Sequence, residues 1–96
     1  MKIVTAGTAG TLESSDIMVT IMPGRGGIEI ELESSVEKQF GAAIRTAIRA
    51  TLARAGVTDA VVRAVDRGAL DCAVQARTLA AAYRAAQCTD YRFEEV

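Results

Sequence analysis

The sequence predicts an α+β fold, a small antiparallel-containing sheet with two helices packed on one face, in the order β-β-β-α-β-α. Three observations point there. Two stretches, Ile17 to Met22 and Ile28 to Glu33, alternate their residues with period two, the signature of half-buried strands. From Val36 onward apolar residues recur at helical spacing. A valine-rich run, Ala60 to Val65, then separates that helix from an alanine-rich stretch, Leu70 to Ala86. With 96 residues, 50% of them hydrophobic, the chain has enough surface for one core, and residues 1–96 are read as a single domain.

Taken in order, a first strand is expected at Lys2 to Ala6, followed by a stretch from Gly7 to Asp16, rich in Gly, Thr and Ser, read as a loop with strand character at its start as the alternative. In the next strand Ile17, Val19 and Ile21 alternate with Met18, Thr20 and Met22, and Pro23-Gly24-Arg25-Gly26-Gly27 turns the chain. Ile28, Ile30 and Leu32 then alternate with Glu29, Glu31 and Glu33, so the two strands are expected to form an antiparallel hairpin with the glutamates in water. Ser34-Ser35-Val36-Glu37 has the spacing of a capping box. The helix after it places Val36, Phe40, Ile44, Ala47, Ile48, Thr51, Leu52 and Ala55 on one side, with Lys38, Arg45 and Arg49 nearly opposite. That basic stripe reads as a solvated face or as a contact for an acidic partner. Gly56 is placed to end the helix, and Asp66-Arg67-Gly68 to end the third buried strand. In the second helix Cys72, Ala76, Leu79, Ala80 and Tyr83 share a broad face, and Cys72 reads as a buried small hydrophobe. The last residues, Cys88 to Val96, are acidic and carry Tyr91 and Phe93; they read as a mobile tail or a segment that docks on a partner.

Composition narrows the function. The chain has no histidine, the side chain most used for proton transfer near neutral pH, so independent catalysis is not expected. Eleven basic and twelve acidic residues give a net charge of -1, which favours neither nucleic acid nor anionic lipid. No apolar run approaches the ~20 residues that cross a bilayer, and the N-terminus lacks a leader pattern, so a cytoplasmic protein is expected. Cys72 and Cys88 are read as reduced thiols, without the histidine or spacing of a metal site. The glycines before Ile28 lack the Gly-Lys-Ser/Thr ending of a phosphate-binding loop and read as turn residues.

One segment goes further. Ala9-Gly10-Thr11-Leu12-Glu13-Ser14-Ser15-Asp16-Ile17-Met18, with Ser34-Ser35-Val36-Glu37-Lys38-Gln39-Phe40-Gly41 and Gly68-Ala69-Leu70-Asp71-Cys72, closely resembles the acyl carrier protein (gamma subunit) family of bacterial citrate lyase. The blocks occur in the same order, and the resemblance spans roughly residues 1–85. In that family the serine of the Gly-Thr-Leu-Glu-Ser run carries phosphoribosyl-dephospho-coenzyme A through a phosphodiester, which implies Ser14 here. The next position is often glycine in the family but is Ser15 in this chain, so two hydroxyls compete. The register with Leu12, Glu13 and Asp16 favours Ser14, with Ser15 as runner-up.

The resemblance implies a non-catalytic subunit loaded by a prosthetic-group transferase and acetylated by a ligase. It further implies that an alpha subunit exchanges the acetyl group for citrate, and that a beta subunit cleaves the citryl thioester to oxaloacetate. Tethering makes substrate delivery intramolecular, and the missing histidines then cost nothing, because the prosthetic group carries the chemistry. The alternatives are the carrier subunit of malonate decarboxylase, against which the Val-Glu-Lys-Gln-Phe-Gly block speaks, and a protein-binding module with no covalent group.

Overall fold

The computed structural model describes residues 1–87. The tail beyond them, with Cys88, Tyr91 and Phe93, lies outside the described residues. Six elements follow in the expected order: β1 (Gly7–Gly10), β2 (Ile17–Met22), β3 (Ile28–Ser34), α1 (Glu37–Arg54), β4 (Ala60–Asp66) and α2 (Asp71–Ala85). They form one four-stranded mixed sheet, ordered β1-β2-β4-β3, and the helices pack together on one face of it. Ile17, Val19 and Ile21 of β2 and Ala60, Val62 and Ala64 of β4 all face the helices and are buried. Each fully buried valine or isoleucine contributes about 2 kcal/mol relative to leaving it in water. On the other face Glu29, Glu31 and Glu33 are exposed as expected, and Glu31 pairs with Arg63 at 2.9 Å across the parallel β3/β4 ladder.

The expected hairpin does not form. β2 and β3 are separated by β4, which runs antiparallel to β2 and parallel to β3. α1 is the crossover that allows the parallel pair, and β4 thereby gains a partner on each side. The Pro23–Gly27 turn must therefore bridge two strand spacings, roughly 10 Å, instead of one. It passes so close over the start of β4 that a Cβ on Gly24 would lie 2.7 Å from the Ala60 carbonyl carbon. The crossing is tied down by the Gly27 N–H donating to Asp59 Oδ1 at 2.8 Å and by the Ala60 N–H donating to the Gly27 carbonyl at 3.1 Å.

The first strand also lies elsewhere than expected. Lys2 to Ala6 joins no sheet; the Val4 and Thr5 N–H groups both donate to the Ala85 carbonyl at 3.0 Å, which binds this segment to the end of α2. β1 is instead the glycine-flanked Gly7–Gly10, antiparallel to β2, which bears out the strand character read at the start of that stretch.

The capping box is not realised. Ser34 closes β3, its hydroxyl donating to Asp66 Oδ2 at 2.9 Å and accepting from the Val36 N–H at 3.1 Å, and Val36 occupies the N-cap of α1. Ile44, Ile48, Thr51 and Leu52 of α1 are buried as the periodicity requires, but Phe40 is 52% exposed. Arg49 donates to the Ile28 carbonyl at 3.2 Å and Arg45 is half-buried and also engaged, so the basic stripe holds the fold as well as facing solvent. At the far end Gly56 adopts a φ of 77°, and the Gly56 and Val57 amides bond back to the Ala53 and Leu52 carbonyls, closing the helix as its sequence predicts.

In α2 the buried face is rotated from the expected one. Cys72 is exposed, as is Ala76, while Val74, Thr78, Ala81, Ala82 and Ala85 join Leu79 and Tyr83 inside. Small residues face the sheet because β1 comes close there. Thr78 is fully buried and its hydroxyl has no hydrogen-bond partner among the described residues. Thr78→Val keeps the shape and removes that orphan group, and should raise stability in a urea melt by about 1 kcal/mol. A loss of stability would show that the hydroxyl is bonded in solution.

Candidate functional site

The loop between β1 and β2, residues 11–16, carries both candidate serines, and its shape is set by Asp16. Asp16 Oδ2 accepts from the Thr11 hydroxyl at 2.7 Å and from Arg77 Nη2 at 2.9 Å. Its Oδ1 accepts from Arg77 Nε at 3.1 Å and from the Ile17 N–H at 2.8 Å. The arginine thus grips the carboxylate with two parallel bonds, the strongest geometry for such a pair. The Glu13 N–H donates to the Thr11 hydroxyl at 3.2 Å, and the Asp16 N–H to the Glu13 carbonyl at 3.2 Å. A second anchor comes from the residue after β4, where the Ser15 N–H donates to the Arg67 carbonyl at 2.8 Å and the Arg67 N–H to the Asp16 carbonyl at 2.9 Å.

These bonds leave Ser14 out. It is exposed at the tip of the loop, and the network runs through Thr11, Glu13, Ser15 and Asp16 without using its hydroxyl. Ser15 is also exposed, but its φ of 65° places it in the left-handed region that favours glycine, and its amide is committed to Arg67. The backbone conformation supplies the physical reason why glycine suits that position.

The three blocks that carry the resemblance, far apart in sequence, meet at this end of the molecule. The loop touches the β4–α2 connection at Arg67, and Gly68 to Asp71 line a groove with Val36, Phe40 and Ile44 at the start of α1. Asp66 organises the connection, accepting from the Gly68 and Ala69 amides at 3.1 and 3.0 Å. Sequence reasoning used Asp16 only as a register mark and did not find Arg77, whose place sixty-one residues away on α2 has no local signal. Among the described residues, no group of three or more Cys, Asp or Glu is placed to hold a metal ion.

Residues 4–85 match the family model described as "Malonate decarboxylase delta subunit (MdcD)", labelled ACP. The citrate lyase acyl carrier protein of Streptococcus uberis is 55% identical over 96 residues, spanning 100% of this chain and 95% of its own length. Those of Streptococcus equi subsp. equi and Lacticaseibacillus casei are 57% and 53% identical, each with 100% and 95% coverage. The chain belongs to the citrate lyase acyl carrier protein family. This acyl carrier is thus a non-catalytic carrier subunit, as its lack of histidine suggested. Its fold is also that of a chain in the crystal structure of a Pseudomonas malonate decarboxylase hetero-tetramer in complex with malonate. There the TM-score is 0.60 at 21% identity, covering 80% of this carrier and 84% of that chain.

The electrostatics of the carrier's loop are testable. The bonds from Arg77, Thr11 and the Ile17 amide hold the Asp16 carboxyl well below its ordinary value of 3.8. A depressed carboxyl stabilises the fold fully above its unfolded-state value and loses that contribution as the pH falls toward its folded-state value. The melting temperature of the wild type should therefore drop more steeply below about pH 4 than that of Asp16→Asn. Equal slopes would show that Asp16 does not hold the loop.

Proposed function

We propose that this chain is the covalent acyl carrier subunit of a citrate lyase complex and that Ser14 is the residue bearing its prosthetic group, phosphoribosyl-dephospho-coenzyme A. The observation that carries the assignment is an exposed serine hydroxyl, free of the network, on a loop clamped from both sides by Asp16–Arg77 and by Ser15–Arg67. The residues present fit the group. Ser14 offers an uncovered oxygen for a phosphodiester, and exposed Arg67 beside the loop suits its negative charge. When bound, the group supplies the thiol on which acyl thioesters are carried. The chain's own part is to present one hydroxyl at a fixed place and to be recognised there. Among the described residues Ser14 has no hydrogen-bonded base to take its proton, so the transferase must provide one.

The expected partners are that transferase, an acetylating ligase and the alpha and beta subunits of the lyase, in the cytoplasm. No helix among the described residues is long and apolar enough to cross a membrane. Full-length identities of 53–57% to citrate lyase carriers support this complex over malonate decarboxylase, where the 21% neighbour supports the fold alone. The test is the intact mass of the chain co-expressed with the transferase, followed by fragment-ion mapping. An increment of one prosthetic group on Ser14 is expected. A group on Ser15 would overturn the residue assignment, and an unmodified chain would overturn the carrier reading in favour of a binding module.

A further inference from the structure

Beside the attachment loop lies an apolar groove of about 360 Å³ between the N-terminal ends of α1 and α2. Phe40, Ala43 and Ile44 line one wall and Ala69, Leu70 and Val74 the other. Its rim is costly to leave bare, since Phe40 is 52% and Leu70 72% exposed; away from the groove lining, Leu12 on the loop is also 52% exposed. These are three of the four exposed large hydrophobics among the described residues.

The groove begins where the loop is anchored. The carbonyl of Arg67 accepts the Ser15 N–H at 2.8 Å, and the next residues along the chain, Gly68 to Asp71, form the groove wall. From Arg67 to Leu70 the chain spans at most about 11 Å. We infer that this groove is the resting site of the arm attached to Ser14, with Phe40, Ile44, Ala69 and Leu70 holding its apolar, branched segment between visits to partner subunits. The inference rests on the Ser14 reading and adds to it where the arm lies. Continuity with the attachment site decides the occupant: a group tethered there meets the groove at millimolar effective concentration, so even a weak site fills. The volume is that of a small-molecule pocket, and one side is open to water for the arm's amides.

The test uses loaded, full-length protein whose mass confirms the prosthetic group. Nuclear Overhauser contacts are expected between the arm's geminal methyls and the methyls of Ile44, Leu70 and Val74. Ala43 lines the groove from the exposed side of α1, so Ala43→Trp should fill the groove and leave the fold intact. Iodoacetamide should alkylate the prosthetic thiol about fivefold more slowly in the wild type than in that variant. A loaded wild type with shifts confined to residues 11–16 and the same alkylation rate as the variant would overturn the inference and leave the carrier reading intact. So would groove shifts that arise only when a partner subunit is added, which would make the groove a protein contact. An unmodified mass would remove both readings together.

Discussion

Ser14→Ala is expected to abolish loading while leaving the fold unchanged. The substitution deletes one exposed oxygen that takes no part in the network around Asp16, so the stability change should stay within ~0.5 kcal/mol. Without that oxygen no phosphodiester can form. The chain should keep its unmodified mass after exposure to the transferase, and a complex rebuilt with it should lack carrier-dependent lyase activity. Ser15→Gly is the matched control. At a φ of 65° glycine fits without steric cost, so this variant should be loaded normally and be up to about 1 kcal/mol more stable. A loaded Ser14→Ala chain would move the attachment to another residue.

Gly7→Ala should have the largest effect on stability. β1 lies against α2 with no room for a side chain at Gly7: a Cβ there would sit 2.9 Å from the Ala85 Cα and nearer still to the Ala85 nitrogen and the Ala81 carbonyl oxygen. All three are backbone atoms of a helix and cannot swing aside. The strand would have to lift from α2, straining the Arg84 bond to the Thr8 carbonyl at 2.6 Å and the pair of amides on Ala85. A cost of about 3 kcal/mol or more is expected, which for a chain of this size lowers the melting temperature by roughly 15 °C. Because β1 leads directly into the loop proposed to bear the prosthetic group, loading by the transferase should also slow. A drop of less than about 5 °C would mean that β1 can move off the helix cheaply.

What the sequence determined by itself is what depends on near neighbours in the chain. The alternation in Ile17–Met22 and Ile28–Glu33 marked two strands, because side chains two apart share a face. Gly56 marked the end of α1, because a left-handed residue closes a helix at no steric cost. The run around Ser14 pointed to a carrier through resemblance, and the full-length relatives bear the family out. Tertiary structure alone decided which strands are partners. A strand's pattern says which side is wet but not which edge it meets, so β4 could enter between β2 and β3 with every buried face preserved. The same holds for the face of α2: alanines fit either an interior or a surface, and the close approach of Gly7 selected Ala81 and Ala85 over Cys72 and Ala76. Phe40 counted as core by its spacing, yet it sits in the first turn of α1, half exposed on the wall of the groove. The grip of Arg77 on Asp16 belongs to the same class, since it needs a helix from the far end of the chain to be packed against the loop before either charge has a partner.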